Sequence, residues 1–113
     1  MSRKYDSRCP VARTLNVIGD RWAILILRDF FMHGPRRFQD FEQSLSGITP
    51  AMLSQRLREL ESNEVIESEL YAEHPPRRVY RLTQKGRELG PVLLAMKAWG
   101  ERWTSKRAPR PLA

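Results

Sequence analysis

A chain of 113 residues supports one domain with one modest core, and 41% hydrophobic content is enough for it to fold. Lys+Arg 20 against Asp+Glu 13 leaves a net charge of +7, which favours a polyanionic partner because cations on phosphates release condensed counterions; the charge is spread along the chain and forms no single basic amphipathic face, which disfavours an anionic membrane. The lone cysteine, Cys9, excludes an intrachain disulfide, no CxxC or Cys/His metal spacing occurs, and no apolar run approaches membrane length, so the expectation is a cytoplasmic protein without metal or cofactor.

Residues 1–8 are polar and predict a flexible arm. Pro10 predicts a short helix opening at Cys9-Pro10, with Val11, Leu15 and Ile18 as its stripe and Gly19 at its end. Asp20 suits the cap of a second helix running to about Met32. There Trp22, Ile24, Leu25, Ile26, Leu27, Phe30 and Phe31 leave only a narrow polar strip around Arg21 and Arg28, the pattern of a central helix. His33-Gly34-Pro35 ends it, leaving His33 as a helix-end cation. A third helix is predicted from Phe38 to Leu45, with Phe38, Phe41 and Leu45 inward, and Ser46-Gly47-Ile48 is a short turn. Thr49 then caps a fourth helix that Pro50 opens and that runs to Asn63, with Leu53, Leu57 and Leu60 on its buried face. Two helices joined by a short glycine-containing turn form a helix-turn-helix.

After Asn63 the period becomes extended. Val65, Ile66, Leu70 and Tyr71 predict one strand and Val79 to Leu82 another, with Ala72-Glu73-His74-Pro75-Pro76 as a tip that no sheet interior accepts. Arg77 and Arg78 flank that tip. The predicted fold is mainly α with a small β-hairpin: a winged helix-turn-helix, dimerising through its N- and C-terminal helices. Thr83 caps a final helical region that Gly90-Pro91 breaks. Its stripe of Leu89, Val92, Leu93, Met96, Trp99 and Trp103 is larger than a monomer of this length needs. Val92, Met96, Trp99 and Trp103, with Val11 and Leu15 of the first helix, are therefore the expected homodimer surface, and Gly100 permits close approach of another backbone. The domain spans 9–104, and residues 105–113 form a basic, proline-rich coil.

The outward face of the fourth helix carries Ala51, Gln55, Arg58 and Glu59, with Met52 and Ser54 on its flanks. Such side chains suit base edges and phosphates, so this helix is the candidate reader of double-stranded DNA. Ser54, Gln55 and Arg58 are the candidate base contacts, with Thr49, Pro50 and Met52 at the groove edge. The bland alternative is a solvated face in which Arg58 pairs with Glu61. Arg56 lies nearer the buried face, where it meets a phosphate or an internal carboxylate. Arg77 and Arg78 are candidates for a narrow minor groove, or else an exposed basic turn. His74 is a loop residue. Trp22, Trp99 and Trp103 suit core and interface better than a ligand cage. Cys9 is either a small residue at a helix start or a redox-sensing thiol, with Arg8 and Arg13 near it.

The order and spacing of Cys9-Pro10-Val11, Gly19-Asp20-Arg21-Trp22, the ILRD run at 26–29, Arg37-Phe38, GITP at 47–50, LSQRLRELE at 53–61, Pro75-Pro76-Arg77 and YRLTQKG at 80–86 resemble the HxlR family of bacterial transcriptional regulators. These are relatives of the MarR-type winged helices, and the resemblance spans roughly residues 9 to 101. It implies a homodimer on an approximately palindromic operator, with the helix from Thr49 in the major groove and the hairpin in an adjacent minor groove. It also implies a small-molecule or oxidant effector, since a family cysteine that senses electrophiles or oxidants matches Cys9. Ala51 departs from the basic residue common just after the proline, so the operator sequence does not carry over. Glu64 departs from a glycine common before the first wing strand, and Asn63 is the expected left-handed residue instead. Two other classes compete. One is a winged helix acting as a protein-interaction module. The other is a thiol enzyme on Cys9, for which no histidine or acid is placed to assist.

Overall fold

The computed structural model describes residues 8–104. The expected arm at 1–8, apart from Arg8, and the expected tail at 105–113 lie outside those residues. The elements run α1 (Pro10–Ile18), α2 (Arg21–His33), β1 (Arg36–Arg37), α3 (Phe38–Ser44), α4 (Pro50–Ser62), β2 (Ile66–Glu73), β3 (Pro76–Leu82), α5 (Gln84–Arg87) and α6 (Gly90–Trp103). This is a winged helix-turn-helix, mainly α with a small antiparallel sheet.

Local chemistry sets the helix starts. Asp20 accepts from the backbone N–H groups of Trp22 and Ala23, Thr49 from Met52, and Thr83 from Gly86, so each satisfies donors that a first turn leaves orphaned. Glu88 and Leu89 separate α5 from α6, which opens at Gly90-Pro91 with the proline in its first turn. The core gathers Ile18 from α1, Ala23, Ile26, Leu27 and Phe30 from α2, Phe41 and Leu45 from α3 and its end, Leu53, Leu57 and Leu60 from α4, and Val65 with Ile66. Phe30 meets Phe41 edge to face at 5.2 Å between centroids. The central helix of the sequence reading is thus central, although Phe31 and Met32 at its end are exposed.

The sheet order is β1-β3-β2, with β3 antiparallel to both neighbours and β2 at an edge. The hairpin reaches further than its sequence suggests. Glu73 pairs with Pro76, so the turn narrows to His74 and Pro75, and Pro76 is tolerated as the first residue of its strand. The strand β1 carries no signal of its own; Arg36 and Arg37 become extended because they pair with Tyr80 and Val79.

The end of α4 also differs from expectation. Asn63 has φ −82° and stays in the helical turn, while Glu64 takes the left-handed conformation at φ 61°. The reason is the closing pattern: Val65 N donates to Leu60 O and Glu64 N to Glu61 O, which puts Glu64 at the position glycine usually fills. The left-handed residue simply falls one place later than expected.

Candidate nucleic-acid interface

Burial of Leu53, Leu57 and Leu60 fixes the rotation of α4. It leaves Ala51, Gln55, Arg58 and Glu59 exposed, with Met52 and Ser54 half-buried beside them. Thr49 is occupied as the cap, its hydroxyl 3.1 Å from Met52 N, and Pro50 fills the first turn. Two of the predicted base readers are coupled: Arg58 Nη1 donates to Ser54 Oγ at 2.8 Å. A hydroxyl one turn upstream therefore orients the guanidinium. The Arg58–Glu61 pair is not formed; Glu61 instead accepts from Ser68 Oγ at 3.0 Å.

That contact ties α4 to the hairpin. Arg78 Nη1 donates to Ser68 Oγ at 3.0 Å, so Arg78, Ser68 and Glu61 form a chain from β3 across β2 to α4. Tyr80 packs nearby. Burial lifts its phenol above the ordinary range, and the Glu61 carboxylate adds to that shift. The Arg77 side chain is exposed and makes no hydrogen bond or ion pair among the described residues. Between the hairpin and the start of α3 lies an open cleft of about 410 Å³, with Arg37, Arg77 and Arg78 around it and Phe38, Tyr71 and Tyr80 along it. The cleft brings Arg37, Arg77 and Arg78, three cations of the kind that suit a phosphate backbone, together with Glu42.

A family model for HxlR-like helix-turn-helix proteins matches residues 17–108. The chain belongs to the HxlR family. Like its relatives, this HxlR-type protein is a transcriptional regulator with a helix-turn-helix DNA-binding fold. It is 43% identical over 98 residues to the HTH-type transcriptional regulator YdeP of Bacillus subtilis, covering 87% of this chain and 76% of that one. Among solved structures, the redox regulator HypR in its reduced form superposes with TM-score 0.78 at 40% identity, covering 83% of this chain and 92% of HypR. The quinone-bound form of YodB from B. subtilis superposes with TM-score 0.71 at 34% identity, covering 84% of this chain and all of YodB, 100%.

In this HxlR-type chain the remaining sequence-predicted residues fall into separate groups. Cys9 is exposed and stands as the N-cap of α1, without a side-chain capping bond. Val11 and Leu15 are exposed on α1, while Ile18 of the same stripe is buried. The α6 stripe divides likewise. Leu89 and Leu93 pack against the core, whereas Val92, Met96, Trp99 and Trp103 are exposed, the two tryptophans at 64% each. Leu94, which the stripe omitted, is exposed with them. Trp22 packs on the core and does not share the solvent-facing setting of Trp99 and Trp103. His33 and His74 are exposed, at the end of α2 and at the hairpin turn. Among the described residues, no cluster of His, Cys, Asp and Glu could hold a metal ion, and no helix is long and apolar enough to cross a membrane.

The sequence reading missed one charge cluster and left the partner in a second unnamed. Asp29, 1% exposed, contacts Arg28 at 3.0 Å, Arg36 at 3.4 Å and the Ser44 hydroxyl, which joins α2, β1 and α3. Arg36 also donates to Asp40 O and lies over the Phe41 ring. The second cluster gives Arg56 its place. Arg56 Nε lies 2.9 Å from Asp20 Oδ1, in an ion contact whose angle leaves Nε without an aligned hydrogen bond. Burial pushes the Asp20 carboxyl up, but Arg56 together with the N–H groups of Ala23 and Trp22 outweighs it and holds the group below its ordinary value. Of the two partners foreseen for Arg56, the structure contains the internal carboxylate.

Proposed function

We propose that this regulator acts as a cytoplasmic homodimer that represses transcription by occupying a pseudo-palindromic operator. The observation that carries the reading is the exposed face of α4, where Ser54 orients Arg58 beside Gln55, next to a wing that presents Arg77 without an internal partner. Thr49, Pro50 and Met52 meet the groove edge, Ser54, Gln55 and Arg58 read bases in the major groove, and Arg77 and Arg78 follow the adjacent minor groove. What supports the dimer is α6, which has no buried residue in the single chain although it presents Val92, Leu94, Met96, Trp99 and Trp103. An exposed apolar face of that kind asks for a second surface, and Val11 and Leu15 of α1 offer a comparable one. A protein built from a reader and a dimer face acts most directly by blocking access to its site, hence repression.

Selection of bound duplexes from random sequence tests the reading. The expected product is a two-fold symmetric site. On it, Arg58→Ala relaxes base preference at one position per half-site, worth about 1–3 kcal/mol for a bidentate arginine–guanine pair, and weakens binding to random DNA less. Equal loss on both DNAs removes Arg58 from the base readers.

A second reading, that Cys9 adjusts operator binding to oxidants or electrophiles, is supported by its exposure at the N-terminus of α1 beside the proposed dimer face. The solved relatives add to it: HypR has reduced and oxidised forms and YodB a quinone-bound one. Operator binding is expected to change on treatment with a quinone or diamide, and to be unresponsive in Cys9→Ser. Identical responses from both proteins exclude the sensor.

A further inference from the structure

Arg56 belongs to α4, yet it does not join the exposed face that carries Gln55 and Arg58. Its side chain is 19% exposed, held between Asp20 at 2.9 Å and Glu59 at 3.4 Å. Asp20 stands at the corner between α1 and α2, and the same oxygen that meets Arg56 caps α2, accepting from Trp22 N at 2.8 Å and Ala23 N at 3.2 Å. The corner is tight: a Cβ on Gly19 would lie 2.4 Å from Leu15 O. Capping needs no charge here, because asparagine caps a helix as well as aspartate does. The negative charge of Asp20 therefore has a use of its own, and its partner is a cation on the candidate reader helix.

We propose that Asp20 and Arg56 are positioning residues for DNA recognition: the carboxylate keeps the Arg56 guanidinium off the phosphates and pins α4 to the α1–α2 corner, raising sequence selectivity at the expense of general DNA affinity. The inference rests on α4 being the reader. A cation free to reach DNA strengthens binding to every sequence alike; one held by an internal carboxylate adds nothing to random DNA and fixes the pose of its neighbours Gln55 and Arg58.

The test uses the full chain, a duplex selected by the wild-type protein from random sequence, and a scrambled duplex of equal composition. Asp20→Asn keeps the cap and removes the closer carboxylate from Arg56, leaving only the longer contact to Glu59 at 3.4 Å. The steepness of the log affinity–log salt plot on scrambled DNA is expected to rise by about one, and affinity for it by about five-fold at 0.15 M salt. The ratio of selected to scrambled affinity falls by a similar factor. Arg56→Met loses selectivity without the rise in steepness, and adding Asp20→Asn to Arg56→Met changes neither quantity further. That last comparison separates release of Arg56 from loss of one negative charge. Far-UV circular dichroism identifies any variant that is merely unfolded, and Arg56→Lys, which keeps the ion contact, is expected to retain most of the selectivity. A wild-type protein that selects a duplex while Asp20→Asn leaves ratio and salt dependence unchanged overturns the inference alone. A wild-type protein that selects none overturns the DNA-reading proposal with it.

Discussion

Gly86→Ala is a small change at a decisive place. An ideal Cβ on Gly86 would lie 2.0 Å from Val65 O, 3.0 Å from Val65 C and 3.1 Å from Leu82 Cδ2. The leucine carbon belongs to a side chain and has some freedom to yield, but the carbonyl belongs to the backbone. Val65 O accepts from Thr83 N at 3.1 Å, and Val65 N donates to Leu60 O at 3.2 Å, so moving Val65 disturbs both the cap of α5 and the end of α4. Overpacking of this sort costs about 1–3 kcal/mol, and a buried amide left unpaired costs about 1–3 kcal/mol more. The expected loss is roughly 2–6 kcal/mol, a large part of the roughly 5–15 kcal/mol that holds a domain together. Urea unfolding followed by circular dichroism at one fixed protein concentration measures it, with an unchanged slope indicating that stability and not compactness has moved. A loss below about 1 kcal/mol, or the gain of about 0.5–1 kcal/mol that alanine brings in an unobstructed helix, would refute the argument.

Gly100→Ala is the opposite case, since its Cβ would meet only Thr104 Oγ1 at 3.8 Å. The single chain is expected to gain about 0.5–1 kcal/mol at low concentration, while sedimentation shows a weaker dimer; an unaltered dimerisation constant takes Gly100 out of the interface. Arg77→Ala is expected to reduce the salt steepness of DNA binding by about one, and Arg78→Ala by less, because Arg78 is already bonded to Ser68. If neither changes the slope, the hairpin is structural only.

Legibility in the sequence followed the range of the interaction. Caps are local: Asp20, Thr49 and Thr83 each bond an amide two or three residues ahead, so their residue types betray them. The buried face of α4 is periodic and equally readable. By contrast β1 exists only through pairing with residues more than forty positions later along the chain, as Arg36 does with Tyr80. The sequence reading places Arg28 in a narrow polar strip on a central helix and gives Asp29 no role, because nothing near them announces Arg36 or Ser44. The Asp20–Arg56 contact was hidden for the same reason, and because Asp20 already had a sufficient explanation as a cap. Glu64 was misread through a single-residue offset, since a helix that closes with a Schellman pattern puts its left-handed residue one place beyond Asn63. For the candidate site, spacing located Ser54 and Arg58 on α4, but that they bond each other is a matter of rotamers.

The edge position of β2 bears on how copies of this chain meet. Its backbone offers unpaired amides and carbonyls to any passing strand, a standing risk of sheet-to-sheet aggregation. Glu67, Glu69 and Glu73 are exposed along that strand. Glu69 is ion-paired with Arg81 at 2.7 Å, so in a second β2 laid against the first it is Glu67 and Glu73 that would meet like charge. In a protein of net charge +7, the acid is spent where it keeps the wings of two molecules apart. Edge-to-edge pairing of two sheets is thereby disfavoured, and the hairpin is left unencumbered.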